Sequence, residues 1–289
     1  MSGTGGEWAR RSFLAATVAA VGGVLAGCTF HPDGPGPHGP GSNAGGLPGG
    51  TPEPRPPRPT VRTPSPTPKP VSVAPAVARV PAPTGAFTGL PGEGSLLAWT
   101  VDDGSDSSVV RAYADFAAQT GTRLTLFVTA SYSAWTENKA ALAPLVSSGQ
   151  VQLANHTWSH PDLTSLSTAG IVDELQRAHD RIGELYGVDA RPFYRPPYGF
   201  HDQHVRDAAA SIGYTSPVLW YGSLADSGLI PSDEIVRLAH EWFLPQHIVI
   251  GHLNHPPVTT VFPQLTQVIK DRGLTTVTLN DVFTSEKHP

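Results

Sequence analysis

The segment LLAWTVDDG at residues 96–104 joins an apolar run to two acidic residues and a glycine. The residues before the acids are apolar or β-branched, which predicts a buried β-strand that ends at Asp102 and Asp103. A buried strand that ends in two acids places charge at one edge of a sheet. We expect the chemistry of the protein at that edge.

Similar apolar runs recur downstream and alternate with helical patterns. The further predicted strands cover 124–128, 151–154, 193–194, 214–220, 247–250 and 275–279. The predicted helices lie near 107–119, 138–148, 168–186, 202–212, 231–242 and 261–272. This alternation predicts an α/β fold with a parallel sheet of about seven strands. It does not decide between an open sheet and a closed barrel.

Polar segments stand at the ends of four predicted strands. Besides the two acids, NHTWSH at 155–160 follows the third strand, RPPYG at 195–199 follows the fourth, and His252 ends the sixth. In parallel α/β folds, active sites are built from the loops at the C-terminal edge of the sheet. We therefore expect these four segments to converge in space.

His156 and His160 are candidate metal ligands. They are four residues apart, and one helical turn before Pro161 would place both imidazoles on the same face. The same spacing is common among surface histidines, and paired acids before a glycine are common in turns. Together, however, two imidazoles and one carboxylate predict a catalytic site of the zinc type with open water positions.

The second carboxylate of the acidic pair then remains free to act as a base. Arg195 is its natural partner, since a guanidinium binds and orients a carboxylate. The alternative for Arg195 is a surface arginine at the end of a strand. The Pro-Pro-Tyr that follows it favours the functional interpretation.

Residues 96–282 resemble a polysaccharide deacetylase of carbohydrate esterase family four, the NodB homology domain. The resemblance rests on four motifs, which are DDG at 102–104, NHTWSHPDL at 155–163, RPPYG at 195–199 and IGH at 250–252. The segment 274–283 also resembles the closing strand of this family. The resemblance implies a distorted (β/α) barrel, with which the predicted strands agree.

The resemblance also implies a role for each motif residue. Asp103, His156 and His160 would bind one divalent metal, with zinc expected first and cobalt or another divalent ion as alternatives. Asp102 would be the general base that takes a proton from the attacking water, and Arg195 would orient Asp102.

Further roles follow for the residues that meet the substrate. His252 would protonate the leaving amine, and the backbone N–H of Tyr198 would stabilise the oxyanion together with the metal. Trp220 would contact the substrate. Three more tryptophans near strand ends are candidates for stacking on sugars, although core packing is the commoner use of this residue; they are Trp99, Trp135 and Trp158.

Two of the motifs depart from the family pattern. In the fourth motif, Ser223 and Ser227 stand where an aspartate and a tryptophan are usual, and Trp220 and Asp226 are its remnants. The sequence therefore does not show which residues contact Arg195 and line the acetyl pocket, the two tasks of this motif in the family.

In the last motif, Leu253 follows His252 at a position where an acidic residue is common in the family. His255 is a second candidate for the general acid that protonates the leaving amine. We favour His252, because it directly ends the predicted strand.

The charge and the single cysteine exclude other kinds of protein. Residues 94–289 carry 12 basic and 20 acidic side chains, a net charge of −8, which argues against a nucleic-acid partner. Cys28 is the only cysteine, so neither an intramolecular disulfide nor a cysteine-based zinc cluster can form.

The N-terminal third predicts export and anchoring. Residues 1–27 have the pattern of a signal peptide, with a pair of arginines that resembles a twin-arginine signal, and LAGC at 25–28 resembles a lipobox. Cys28 would then carry the lipid, unless the signal is a plain one and the cysteine is incidental. Residues 28–93 are predicted to be a disordered linker rich in proline and glycine, and 94–289 to be the deacetylase domain.

Together with the family resemblance, these observations predict a lipid-anchored, metal-dependent hydrolase that works in the cell wall on the outer face of the membrane. It would remove N-acetyl groups from an acetylated polysaccharide, with peptidoglycan amino sugars first, and its catalytic domain would be monomeric. Two alternatives remain. One is an esterase that removes O-acetyl groups from a xylan-type polymer, and the other is an inactive wall-binding lipoprotein on the same scaffold.

Overall fold

The computed structural model describes residues 74–284. The strands are β1 (Val80–Pro81), β2 (Leu96–Asp103), β3 (Leu124–Val128), β4 (Val151–Asn155), β5 (Phe193–Tyr194), β6 (Ser216–Pro217), β7 (Gly222–Ser223), β8 (His247–His252), β9 (Thr275–Thr276) and β10 (Phe283–Thr284). The helices are α1 (Ser107–Thr120), α2 (Ala134–Glu137), α3 (Lys139–Ser147), α4 (Thr168–Tyr186), α5 (Gln203–Ala210), α6 (Ser232–Trp242), α7 (Phe262–Asp271) and α8 (Leu279–Val282).

The main sheet consists of parallel strands in the order β6-β5-β4-β3-β2-β8-β7, and β9 pairs with the start of β2. It curls into a half-barrel, which confirms the predicted α/β fold and its distorted barrel of about seven strands. Strands β6 and β7 are the two ends of this order, so the barrel is open between them. In the central strand β2, Asp102 lies opposite Phe127 of β3 and His252 of β8. The register therefore sets two predicted site residues side by side.

Most of the predicted helices lie where the apolar pattern places them. The side chain of Ser167 caps the start of α4, and α1 and α4 end at Gly121 and Gly187, which have the left-handed conformation. The buried faces of these helices pack on the sheet in a core that includes Trp99 and Phe116. This packing fixes the strand ends that carry the site.

Some residues upstream of position 94, the predicted start of the domain, also belong to the fold. Strand β1 pairs with β10, Phe87 bridges to Val218, and Leu90 is buried. In the sequence these apolar residues lie among many prolines and glycines, so the composition of the segment gave no sign that they pack. Residues 80–90, which the composition assigned to the linker, thus pack against the domain. The predicted signal peptide and Cys28 lie outside the described residues.

The structure also bears on membrane spans and on one predicted strand. None of the helices within residues 74–284 is long and apolar enough to cross a bilayer. The single strand expected at 214–220 is shorter than predicted, because β6 ends at Pro217, which has no N–H to donate, and β7 begins only at Gly222.

Candidate metal centre and active site

Three side chains from two strand ends form the candidate metal centre. Asp103 ends β2, whereas His156 and His160 follow β4. The Nε2 atoms of both histidines lie 3.5 Å from Oδ1 of Asp103, and the three ligand atoms lie within 4.8 Å of one another. Such spacing suits one cation held at about 2.0–2.2 Å by each ligand.

The protonation of these groups also fits a cation. Nδ1 of His156 lies 2.7 Å from the carbonyl oxygen of Arg195, so Nδ1 donates its proton there and Nε2 is left as a ligand atom. Burial, and then the nearby His156, lower the pKa of His160 and favour its neutral form. Burial raises the pKa of Asp103, but the nearby His156 and a hydrogen bond from Asn254 outweigh it and lower the pKa. One carboxylate and two imidazoles are a donor set that zinc accepts.

The backbone after β2 turns both acids toward the same cleft. In a regular strand, the adjacent side chains of Asp102 and Asp103 would point to opposite faces of the sheet. A φ of 75° at Asp103 breaks this alternation, and both side chains line one cleft. Gly104 follows with a φ of 100°, and a Cβ there would lie 2.5 Å from the ring of Trp135. Only glycine fits this position.

The two histidines are not joined by the helical turn that their spacing predicted. Thr157 and His160 have positive φ values of 71° and 63°, so the segment is a bent loop. The imidazoles nevertheless meet edge to face, with ring centroids 4.8 Å apart. Glu174 of α4 holds this loop, because its carboxylate accepts hydrogen bonds from the backbone N–H groups of Trp158 and Ser159 at 3.0 and 2.8 Å.

We predict that Glu174→Ala weakens metal binding about tenfold, in the range measured for residues that support ligands. The change removes the acceptor that holds the loop between the two imidazoles. The measurement is zinc affinity in competition with a chromophoric chelator. Asp173→Ala, on the exposed side of the same helix, is the control and should bind zinc normally. Equal affinities in the two variants would contradict a role for Glu174 in the loop.

Asp102 lies beside the centre and is held by Arg195. The Nη1 atom of Arg195 donates to Oδ1 of Asp102 at 2.5 Å, and both side chains are almost fully buried. The same guanidinium donates to the carbonyl oxygens of Val218 and Leu219, and it lies over the ring of Phe127. Arg195 is therefore a buried partner of the free acid, not a surface residue.

The other oxygen of Asp102 faces the centre. Its Oδ2 atom lies 3.5 Å from Nε2 of His156, as close as Oδ1 of Asp103 does. Only Asp103, however, also reaches His160 and completes a cluster of three ligand atoms. The geometry thus gives the two acids different positions relative to the three candidate ligand atoms.

His252 stands at the end of β8 and lines the same cleft. Its Nδ1 atom lies 3.0 Å from Oδ1 of Asp226, which is 2% exposed. Burial lowers the pKa of His252, but the hydrogen bond and the charge of Asp226 outweigh it and raise the pKa. His255, the second candidate for the acid, is not among the described residues that line this cleft.

The cleft has a volume of about 450 Å³ and is rimmed by aromatic side chains. Tyr198 is 58% exposed, and its ring lies 4.7 Å from that of His160. Trp220 also lines the cleft, beside Arg195. The prediction of sugar stacking is wrong for Trp99 and Trp135, because their side chains are fully buried in the core.

Several residues at the site escaped the sequence analysis. Asn254 and Tyr132 line the cleft, and Asn254 contacts Asp103. Asp226 was noted only as the remnant of a motif, yet it is the partner of His252. An asparagine two positions after the last motif carries no signal of its own, because its contact depends on the pairing of distant strands.

This fold and this site together define a class of protein: an α/β half-barrel with a candidate single-metal centre and two titratable groups at the C-terminal edge of its sheet. Residues 90–217 match the polysaccharide deacetylase family. This match supports the predicted family for that part of the chain and agrees with the predicted enzyme class, that of the polysaccharide deacetylases. The match ends before Asp226 and His252, which pair at the site in the structure.

Similar proteins include active and inactive representatives of the fold. A chitooligosaccharide deacetylase of Bradyrhizobium is 29% identical over 158 residues, which cover 55% of this chain and 70% of that protein. The T48 deacetylase, solved with substrate, has a TM-score of 0.57 and 29% identity over 65% of this chain and 89% of its own. The family four pseudoenzyme BA3943 of Bacillus anthracis has a TM-score of 0.61 at 16% identity, over 69% of each chain, and shares the fold alone. Several other curated relatives are matched over less than half of their own length.

Proposed function

We propose that this protein is a metal-dependent deacetylase that removes N-acetyl groups from a cell-wall polysaccharide, with peptidoglycan amino sugars as the first candidate. The observation that carries the proposal is the position of Asp102, which Arg195 holds beside the three candidate ligands and opposite His252 in one cleft. An amide needs both a base for the incoming water and an acid for the leaving nitrogen, and this cleft offers both.

A divalent cation bound by Asp103, His156 and His160 would lower the pKa of a coordinated water toward about 7. Asp102 would take a proton from the attacking water through Oδ2, the oxygen that faces the three candidate ligands, while Oδ1 stays bound to Arg195. The resulting base is therefore fixed in orientation.

The other residues act on the acetamido group. The N–H of Tyr198 donates to the developing oxyanion, and a φ of 60° sets the direction of this part of the backbone. His252 donates a proton from Nε2 to the leaving nitrogen, since its Nδ1 is engaged by Asp226. Both groups line or border the cleft that receives the acetyl group.

The relatives and the predicted N-terminal segment support the proposed substrate class. The chitooligosaccharide deacetylase at 29% identity is named for an N-acetylated glycan. A signal peptide over 1–27, a lipid on Cys28 and a linker from 28 would hold a monomeric domain at the outer face of the membrane, where wall polymers are its nearest substrates. Zinc is the proposed ion, given the mixed carboxylate and imidazole donors.

The test is acetate release by the purified protein from N-acetylated chitooligosaccharides and peptidoglycan fragments, with O-acetylated xylan alongside. We expect release from the N-acetylated glycans, loss of release after treatment with a chelator, and recovery with zinc or cobalt. Release from xylan alone would change the substrate to an ester. Glycan binding without turnover, with zinc present, would identify an inactive scaffold.

We predict that Asp226→Asn shifts the alkaline limb of the kcat profile to lower pH. A general acid works only while it is protonated, so the raised pKa of His252 extends activity upward in pH and activity falls as the pH passes that pKa. Removing the charge of Asp226 lowers the pKa of His252 and moves the limb down. Asp233→Asn makes the same charge change on the exposed surface of α6 and should leave the profile in place. If the alkaline limb of the kcat profile stays in place in Asp226→Asn, then Asp226 does not set the pKa of the general acid.

A further inference from the structure

Asn254 lines the cleft two residues after His252 and binds an acid of the metal centre. Its Nδ2 atom donates to Oδ2 of Asp103 at 2.6 Å. Its Oδ1 atom accepts from Oγ of Ser105 at 2.8 Å and from the backbone N–H of Ser105 at 3.4 Å. Because a backbone N–H can only donate, the amide oxygen must face Ser105, and the amide nitrogen must then face Asp103.

The two oxygens of Asp103 consequently have different surroundings. Oδ2 accepts the short bond from Asn254, whereas Oδ1 lies 3.5 Å from Nε2 of His156 and of His160 and accepts only a longer bond of 3.4 Å from the hydroxyl of Thr129. An unrestrained carboxylate rotates and offers a cation one oxygen or both. The hydrogen bond from Asn254, which at 2.6 Å is the shorter of the two side-chain bonds to this carboxylate, restricts that rotation before a cation arrives.

We propose that Asn254 is a positioning residue that holds Asp103 as a ligand through one oxygen. One oxygen and two imidazole nitrogens leave further coordination positions to water and substrate, as a catalytic centre requires. This inference rests on the proposed function only in assigning those open positions to catalysis. Ser105 and Asn254 follow β2 and β8, which are neighbours in the sheet, so strand pairing brings the positioning residue to its target.

The first test is Asn254→Ala, with metal binding as the readout. We expect zinc affinity, measured by chelator competition, to fall about 10–100-fold. We also expect the absorption spectrum of the cobalt-substituted protein to change, because the freed carboxylate of Asp103 alters the coordination. Gln267→Ala is the matched control, since it removes an amide–carboxylate hydrogen bond of 2.6 Å, to Asp271 on the surface of α7. It should leave both readouts unchanged.

A second variant keeps the inference open to contradiction if Asn254→Ala folds poorly. Ser105→Ala removes only the hydroxyl that orients the amide, so we expect a smaller loss of zinc affinity and a smaller spectral change in the same direction. Unchanged affinity and spectrum in the folded variants would overturn the inference. Because both readouts are taken without substrate, failure of the wild-type protein to deacetylate any glycan would overturn the proposed function and leave this inference standing.

Discussion

Asp102→Asn should reduce acetate release by about 10²–10⁴-fold and leave zinc bound. The lost factor is that of a positioned general base, because an amide oxygen or nitrogen does not accept a proton at neutral pH. The substitution preserves shape, and its carbonyl oxygen can still accept the hydrogen bond from Arg195. The metal is retained because the cluster of three ligand atoms includes Asp103 and not Asp102.

The measurement combines kcat for acetate release with the zinc content of the purified variant. Asp207→Asn, an exposed acid on α5, is the control for the loss of one carboxylate and should match the wild type in both readouts. A native rate in Asp102→Asn would remove this residue from the mechanism. Loss of zinc together with activity would instead make Asp102 a ligand.

The strand register explains why the proposed base and the proposed acid lie side by side. Asp102 and His252 are paired residues of the adjacent parallel strands β2 and β8, although they are 150 positions apart in the sequence. The apolar runs before both residues predict the two strands, and the rule for parallel sheets predicts that their ends share an edge. The convergence of the site was therefore predictable from the sequence.

The local geometry of the ligands was not predictable in the same way. The four-residue spacing of His156 and His160 favoured a helical turn, whereas the loop has positive φ at Thr157 and at His160. Such conformations are unfavourable for residues other than glycine and persist only where surrounding contacts impose them. The contact here comes from Glu174 on α4, which no local pattern connects to the loop.

The partners of the site residues were missed for a related reason. Asp226 was interpreted as the remnant of a motif, because its neighbours Ser223 and Ser227 differ from the family pattern. In the structure it is buried and binds His252, so the pairing is present although the motif around it is not. Hydrogen bonds between distant loops depend on how the fold packs, so no local pattern in a single sequence predicts them.

The identity of the acid gives the second large expected effect. His252→Ala should reduce acetate release by about 10²–10⁴-fold with zinc retained, since the amine would have to leave without a proton donor. His255→Ala should release acetate at close to the native rate, because His252 rather than His255 lines the cleft and pairs with Asp226. Each variant removes one imidazole, and the two positions are only three residues apart, so each variant controls for the other. A substrate whose leaving group needs less protonation, such as an aryl acetate, should be less affected than an acetamide. We expect its rate of hydrolysis to fall less in His252→Ala. If His255→Ala is the inactive variant, or if the aryl ester and the amide suffer equally, His252 is not the proton donor.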